Sequence, residues 1–457
     1  MSESKDIIET NMQASNIFFS VRLRDDIIAD RPGNGRIIFI KNGIKCTDIP
    51  ADHPLIESLI AKWVTEATID QEASSASNPS VIYYIFEKLF SLGLLKARCT
   101  LNEKSLFSVV PAPEWQAWQG KLPASAHRLS PCLCLRQNEH DFILEMPLSQ
   151  KKCIIHDGRC IIWLMEIVQG SISMPVNDAA RSAFYLALWM MNALICDEDS
   201  DPSWEFHDLL FFHHSSIGFH DDATGATCRF KDKSLPEPLL KAITGFCVSL
   251  PEPDERLMKK LNTPFAEVLA KRRSSRNVCG SPALEEIGAL LFASARIQSV
   301  RDDSTHSYFV SLRPSPSGGA LHSIEIYLFV RQCTNLESGV WRYDPGRHQV
   351  ESVAADNELF EAYMNSNPYA AGPNTAPPYL RLVMTSRFQR NSWKYEKIAY
   401  RLVLQDLGCL YQTISLAAAA LGLATCILGA VEAKRLGEIM KLEPLIEPVI
   451  GEMMLSS

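Results

Sequence analysis

Lys394 and Tyr395 stand side by side after a tryptophan, in Asn391-Ser392-Trp393-Lys394-Tyr395. Together they offer two proton-transfer groups, or a phenol whose charge an ammonium stabilises, and Trp393 supplies an apolar wall that shifts pKa values. Such pairs also occur on surfaces with no function, so the chemistry depends on what else the chain carries. Lys271-Arg272-Arg273-Ser274-Ser275-Arg276 sets arginines and hydroxyls where they can make charge-assisted hydrogen bonds to a phosphate. Taken alone, the run reads more readily as a solvated basic face. Arg313-Pro314-Ser315-Pro316-Ser317-Gly318-Gly319-Ala320 joins prolines to small residues, which lets a rigid backbone approach a planar ligand closely. It matches neither G-x-x-x-x-G-K-[ST] nor G-x-G-x-x-G. His207, His213, His214 and His220 are spaced by six, one and six residues. Those intervals do not give the i, i+3 or i+4 ligand spacing of a helix, so a structural or interface role is favoured over a metal, and no metal site is expected.

The elements that must position these residues are legible in the last 200 positions. A helix is expected from near Lys397 to Gly422, followed by a strand at Thr425-Cys426-Ile427-Leu428. Pro282 and the glutamates 285 and 286 open a helix from Ala283 to Ile297. Ile324 to Val330 reads as a strand, and Gly339 to Pro345 as a hairpin strand ending in a turn. Upstream, Ile17–Val21 and Arg36–Ile40 read as a strand pair around Arg31-Pro32-Gly33-Asn34-Gly35, followed by helices at Leu55–Thr65 and Val81–Leu92. Strands near Cys132–Leu135 and Phe142–Leu144, and an apolar helix from Ala179 to Ile195, suggest a second copy of that order. The expected fold class is α+β, with domains at 1–110 and 111–250 resembling small winged helices and a third at 251–457.

Composition limits the partners. The 457 residues exceed what one core organises, and 46% hydrophobic with 21% charged residues is a globular balance. A net charge of -8 argues against a phosphate-tracking nucleic-acid surface. The 13 cysteines include no CxxC pair, and the N-terminus lacks a basic segment followed by an apolar core, so buried thiols and a cytoplasmic location are expected. Leu407 to Ala430 carries no charged residue, but Gly422 divides it, so a buried helix and strand are expected in place of a membrane span.

Several segments occur in the order seen in one enzyme family. They are Arg272-Arg273-Ser274-Ser275-Arg276, Pro314 to His322, Val340-Trp341-Arg342-Tyr343-Asp344-Pro345, Trp393-Lys394-Tyr395 with Tyr400-Arg401, Asp406-Leu407-Gly408, and Leu421 to Thr425. In this the chain resembles the SagB-type dehydrogenases, flavin-dependent members of the nitroreductase superfamily that oxidise peptide thiazolines and oxazolines to thiazoles and oxazoles. Trp204 to Asp208 and Phe212 to Ser215 also resemble the longer cyanobactin oxidases. The resemblance implies a nitroreductase-like FMN domain, its central sheet mostly antiparallel and surrounded by helices, in an obligate homodimer. It implies Arg272, Arg273, Ser274 and Arg276 at the FMN phosphate and flavin edge, and Gly429 beside the ring. It further implies that the loop carrying Pro314, Ser315, Ser317 and Gly318 reaches the flavin from the partner subunit, and that Lys394 and Tyr395 work at the substrate. Two departures stand out: the C-terminus, Gly451 to Ser457, lacks a basic residue, and position 318 is Gly where simple nitroreductases often have Asn.

Oxidising an azoline ring removes a proton from one carbon and a hydride from its neighbour, so a flavin accepts the hydride, Lys394 or Tyr395 takes the proton, and O2 restores the flavin. Two other functions fit parts of the chain: an NAD(P)H-dependent nitro or enone reductase, and a peptide-binding scaffold without activity. The front half suits recognition of a leader-bearing peptide by strand addition, or a spacer role.

Overall fold

In the computed structural model, residues 17–33, 35–41, 43–50, 55, 58–59, 64–114, 117–118, 128–138, 141–170, 178–195, 204–220, 222–232, 238–277, 279–303, 308–366 and 376–457 are described. The chain forms two compact units, 1–222 and 223–457, and mixes helices with antiparallel sheets, an α+β fold.

The first unit contains β1 (Ile17–Leu23), α1 (Glu66–Ser75), α2 (Pro79–Ser91), β2 (Leu95–Leu101), β3 (Lys104–Val110), β4 (Cys134–Asn138), β5 (Asp141–Glu145), β6 (Lys152–Ile155), α3 (Arg159–Val168), α4 (Ala179–Met190) and α5 (Phe206–Ser215). Its six-stranded sheet runs in the order β1-β2-β3-β6-β5-β4. β3 pairs with β6, Val110 opposite Lys152, so residues expected in separate modules at 1–110 and 111–250 share one sheet and one core. Phe107 of β3 meets the ring of Phe184 of α4 edge-on at 5.4 Å across that core. The strand pair expected between residues 17–21 and 36–40 does not form. β1 pairs with β2, while Arg36–Lys41 sits in a three-stranded sheet between Ile27–Asp30 and Ile44–Pro50, because a third strand occupies the intervening residues. α4 stops at Met190, short of the expected Ile195, where Asn192 takes a left-handed φ of 60°. Most of the expected helix at 55–65 lies outside the described residues.

The second unit contains β7 (Cys247–Ser249), α6 (Phe265–Lys271), α7 (Leu284–Ser294), β8 (Ser299–Asp303), β9 (Tyr308–Leu312), β10 (Ile324–Val330), β11 (Gly339–Asp344), β12 (Gln349–Ser352), β13 (Leu380–Ser386), α8 (Phe388–Lys394), α9 (Ala399–Leu421), β14 (Ala424–Leu428) and β15 (Val449–Ser456). It begins well before residue 251. Arg387 donates to the carbonyls of Pro238 and Leu239, and β7 pairs with β12, so residues 238–250 pack with the C-terminal sheet. That sheet has the order β7-β12-β11-β10-β13-β15-β14, with every neighbouring pair antiparallel.

β10 shows why the strand was readable. Its residues Ile324, Ile326, Leu328 and Val330 face the core shared with α7 and α9, while Tyr327 and Phe329 face Phe360, Tyr363 and Leu436. With both faces covered, the strand is apolar at every position but Glu325, which is buried and paired with Arg387 and Arg342. α9 buries Val403, Leu407, Leu410, Ile414, Ala418 and Leu421, a stripe at intervals of three and four. This helix is long and apolar enough to cross a membrane by length and composition alone, yet its stripe lies inside the core. It ends at Gly422, which has a φ of 81° and open space where a Cβ would be. Gly422→Ala therefore tests backbone strain without a clash: the urea midpoint should fall by an amount equivalent to about 1 kcal/mol, and an unchanged midpoint would show that the left-handed cap carries no cost.

Candidate active site

Arg390 of α8 is 1% exposed, and a buried guanidinium must find acceptors for its donors. Its Nε donates to the Leu321 carbonyl at 2.6 Å and its Nη2 to the Phe309 carbonyl at 2.9 Å. One side chain thus fastens α8 to β9 and to the end of the Pro-Ser loop. Trp393, on the same short helix, meets the Tyr308 ring edge-on at 5.6 Å. Lys394 closes the helix, and its Nζ donates to Tyr308 Oη at 2.6 Å. Tyr395 leaves the helix in an extended conformation, bridged to Ala226, while the Cys228 N–H donates to the Lys394 carbonyl at 3.1 Å.

The Pro-Ser loop is held from below by α9. Asp406 accepts from Ser317 Oγ at 2.6 Å and from the Gly318 N–H at 2.9 Å, and Ser317 Oγ accepts in turn from the His322 N–H at 3.0 Å. Burial raises the Asp406 carboxyl above its ordinary value, while the two hydrogen bonds oppose that rise. Gly319 follows with a φ of 63°, and a Cβ there would lie 2.6 Å from Tyr395 Oη and 3.3 Å from Lys394 Nζ. Only glycine fits both the backbone angle and the gap. The loop and the Lys-Tyr pair, read as separate stretches of sequence, are therefore one cluster within one chain.

Burial also pushes the Tyr395 phenol up, with Lys394 partly opposing. Tyr395 thus keeps its proton at neutral pH, which makes it a hydrogen-bond donor and disfavours the phenolate reading of this residue. Behind the loop lies a cavity of about 20 Å³, room for a single water, lined among others by Arg313, Ser315, Ser317, His322, Glu325 and Asp406. Burial lowers Arg313 to about 10, and burial with the nearby Arg313 charge lowers His322 to about 3.

The arginine run occupies a different place. After α6 the chain is extended, Ser274 bridges Thr425 in parallel, and the Ser275 N–H donates to the Thr425 carbonyl at 2.8 Å. Arg273, Ser274 and Arg276 are exposed and Arg272 is half-buried; among the described residues none of the three guanidinium groups has a hydrogen bond or ion pair. Free guanidinium groups beside a hydroxyl fit a phosphate ester. Thr425 follows the C-terminus of α9, whereas Asp406 and the Pro-Ser loop lie near its start, and α9 between Asp406 and Leu421 spans about 22 Å. Within one chain, then, Arg272, Arg273, Ser274 and Arg276 are set apart from Pro314, Ser315, Ser317, Gly318, Lys394 and Tyr395. Gly429 follows β14, exposed, with open space at its Cβ position.

Tyr308, Arg390 and the clamping role of Asp406 did not emerge from sequence. Asp406 had a signal, a lone carboxylate inside the apolar stripe of α9. Tyr308 had none, since its partner is 86 residues away. In the first unit the rings of His213, His214 and His220 pack at 4.9 to 5.8 Å. His213 Nδ1 accepts from the Leu148 N–H, and His220 Nε2 donates to the His214 carbonyl. His214 Nε2 also lies 3.7 Å from the Glu145 carboxylate, and among the described residues no three or more His, Cys, Asp or Glu side chains are placed to hold a metal ion.

Residues 269–455 match the model of the nitroreductase family. The nitroreductase-type protein MJ1384 of Methanocaldococcus jannaschii is 31% identical over 191 residues, 40% of this chain and 89% of that protein. The chain belongs to the nitroreductase family. Membership implies a flavin oxidoreductase, as the order of the segments suggested. Two further relatives are named as processing proteins of trifolitoxin and of microcin B17. The trifolitoxin-processing protein TfxB of Rhizobium leguminosarum bv. trifolii is 27% identical over 172 residues, 37% of this chain and 46% of that protein. The microcin B17-processing protein McbC of Escherichia coli is 29% identical over 151 residues, 31% of this chain and 54% of that protein. The chain thus spans about half the length of each of these two relatives.

His322 gives the nitroreductase unit a defined acid sensitivity. Between the ordinary histidine value of 6.5 and about 3, the unfolded chain binds a proton that folded His322 refuses, so stability falls as pH drops through that window. Urea midpoints across the window should decline less steeply in His322→Asn than in the wild type, and parallel declines would remove His322 as a cause.

Proposed function

We propose that this chain is an FMN-dependent azoline oxidase of the SagB type, most like the cyanobactin oxidases, converting thiazoline or oxazoline rings of a ribosomal peptide to thiazoles or oxazoles. The observation that carries the reading is the Lys394-Tyr395 pair held against Gly319, a proton-transfer dyad facing a loop with no side chain in the way. The peptide-processing names of TfxB and McbC support a peptide substrate.

Arg272, Arg273, Ser274 and Arg276 would hold the FMN phosphate, with Pro314, Ser315, Ser317, Gly318 and Gly429 beside the flavin. When bound, FMN supplies the hydride acceptor, and O2 is its proposed oxidant. The residues of the chain do the rest. Tyr395, which keeps its proton, donates a hydrogen bond to the azoline ring, and Lys394 in its neutral form takes the proton from the ring carbon. Ser317 and Asp406 keep Gly319 close to both side chains, and Trp393 and Tyr308 exclude water from the inner side of the dyad.

A homodimer accounts for the division of the candidates. With the arginine run about 22 Å along α9 from the loop, a second copy brings one subunit's arginines to the other subunit's loop. The exposed stripe of α9, Tyr400, Leu404 and Gly408, is consistent with such a contact. For the first unit we propose peptide recognition, a strand added at the free edge of β4, where Leu135 is exposed.

Incubation of the yellow protein with a thiazoline peptide and O2 should give a product lighter by two hydrogens. Turnover only with NAD(P)H and a nitroarene would instead make the chain a flavin reductase. Lys394→Ala and Tyr395→Phe should each keep the bound flavin and slow oxidation by at least about tenfold, and wild-type rates in both would remove the pair from the mechanism.

A further inference from the structure

We propose that Tyr308 is a positioning residue for Lys394, a third member of the site that fixes the amine's direction. The inference rests on the azoline-oxidase reading and deepens it. Tyr308 is 4% exposed, at the start of β9, and its hydroxyl accepts from Lys394 Nζ at 2.6 Å. Its ring is held from two sides: Trp393 packs on it edge-on, and Arg390 ties the next carbonyl, that of Phe309, to α8. Nζ lies beyond the hydroxyl edge of Tyr308, 5.3 Å from the centre of that ring, and 5.9 Å from the centre of the Tyr395 ring.

This geometry has two consequences. A lysine side chain is long and rotatable, and the hydrogen bond to Tyr308 Oη narrows the rotamers to those that keep Nζ beside Gly319, 3.3 Å from where a Cβ would lie. When Lys394 takes a proton from the ring carbon, the new N–H bond forms at Nζ and the electron pair of the broken C–H bond stays with the ring. The resulting ammonium gains a charge-assisted hydrogen bond to Tyr308 Oη.

Tyr308→Phe removes the hydroxyl and keeps the ring, so packing against Trp393 is preserved. The full-length protein with bound flavin, assayed with a thiazoline peptide and O2, should show kcat lowered about tenfold with KM for the peptide little changed. Flavin content and thermal midpoint should match the wild type, which a loss of fold would not allow. A Tyr308→Phe protein with the wild-type kcat, alongside an inactive Lys394→Ala, would overturn the role of Tyr308 and leave the dyad standing. Wild-type activity in Lys394→Ala would overturn the dyad itself, and Tyr308 with it.

Discussion

The site depends on a buried positive charge. Arg390 is enclosed by the second unit, and its donors reach the backbone carbonyls of Leu321 and Phe309. Leaving such a charge unpaired costs several kcal/mol, so β9, α8 and the end of the Pro-Ser loop are held in one register. Arg387, one turn earlier, does the same for residues 238 and 239 while its Nε pairs with Glu325 at 2.8 Å. Irregular segments that would drift on the surface of most folds are fixed here by guanidinium groups from one short helix. Lys394 and Tyr395, at the end of that helix, inherit the precision.

Much of the catalytic unit was legible because its elements are strongly patterned. The strand at Ile324–Val330 was read with its true bounds, since both faces are buried and only Glu325 breaks the apolar run. α9 and its Gly422 cap followed from an apolar stripe and a residue that tolerates left-handed backbone. The arginine run, the Pro-Ser loop and the Lys-Tyr pair stood out by residue type. What local sequence does not carry is distance between segments. Nothing near residue 394 marks Tyr308 as its partner, nothing near residue 319 says that Tyr395 fills the space of its missing side chain, and pairing at residues 152 and 349 moved the expected unit boundaries.

Family membership and the two clusters bear on each other. The proposed azoline oxidase needs its phosphate-binding groups and its Lys-Tyr dyad at one flavin, yet within one chain they lie toward opposite ends of α9. The proposed dimer resolves that separation through symmetry. In the proposed mechanism the labour within the dyad is divided, the neutral Tyr395 phenol giving a hydrogen bond and Lys394, held by Tyr308, receiving a proton.

The most direct measurement is a single turnover without oxygen and without NAD(P)H, in which the flavin-loaded protein is mixed with a thiazoline peptide and the visible flavin absorbance is followed. Azoline oxidation requires the flavin to bleach as thiazole forms in equal amount. A flavin that stays oxidised with the peptide, and bleaches only when NAD(P)H is added, would contradict it.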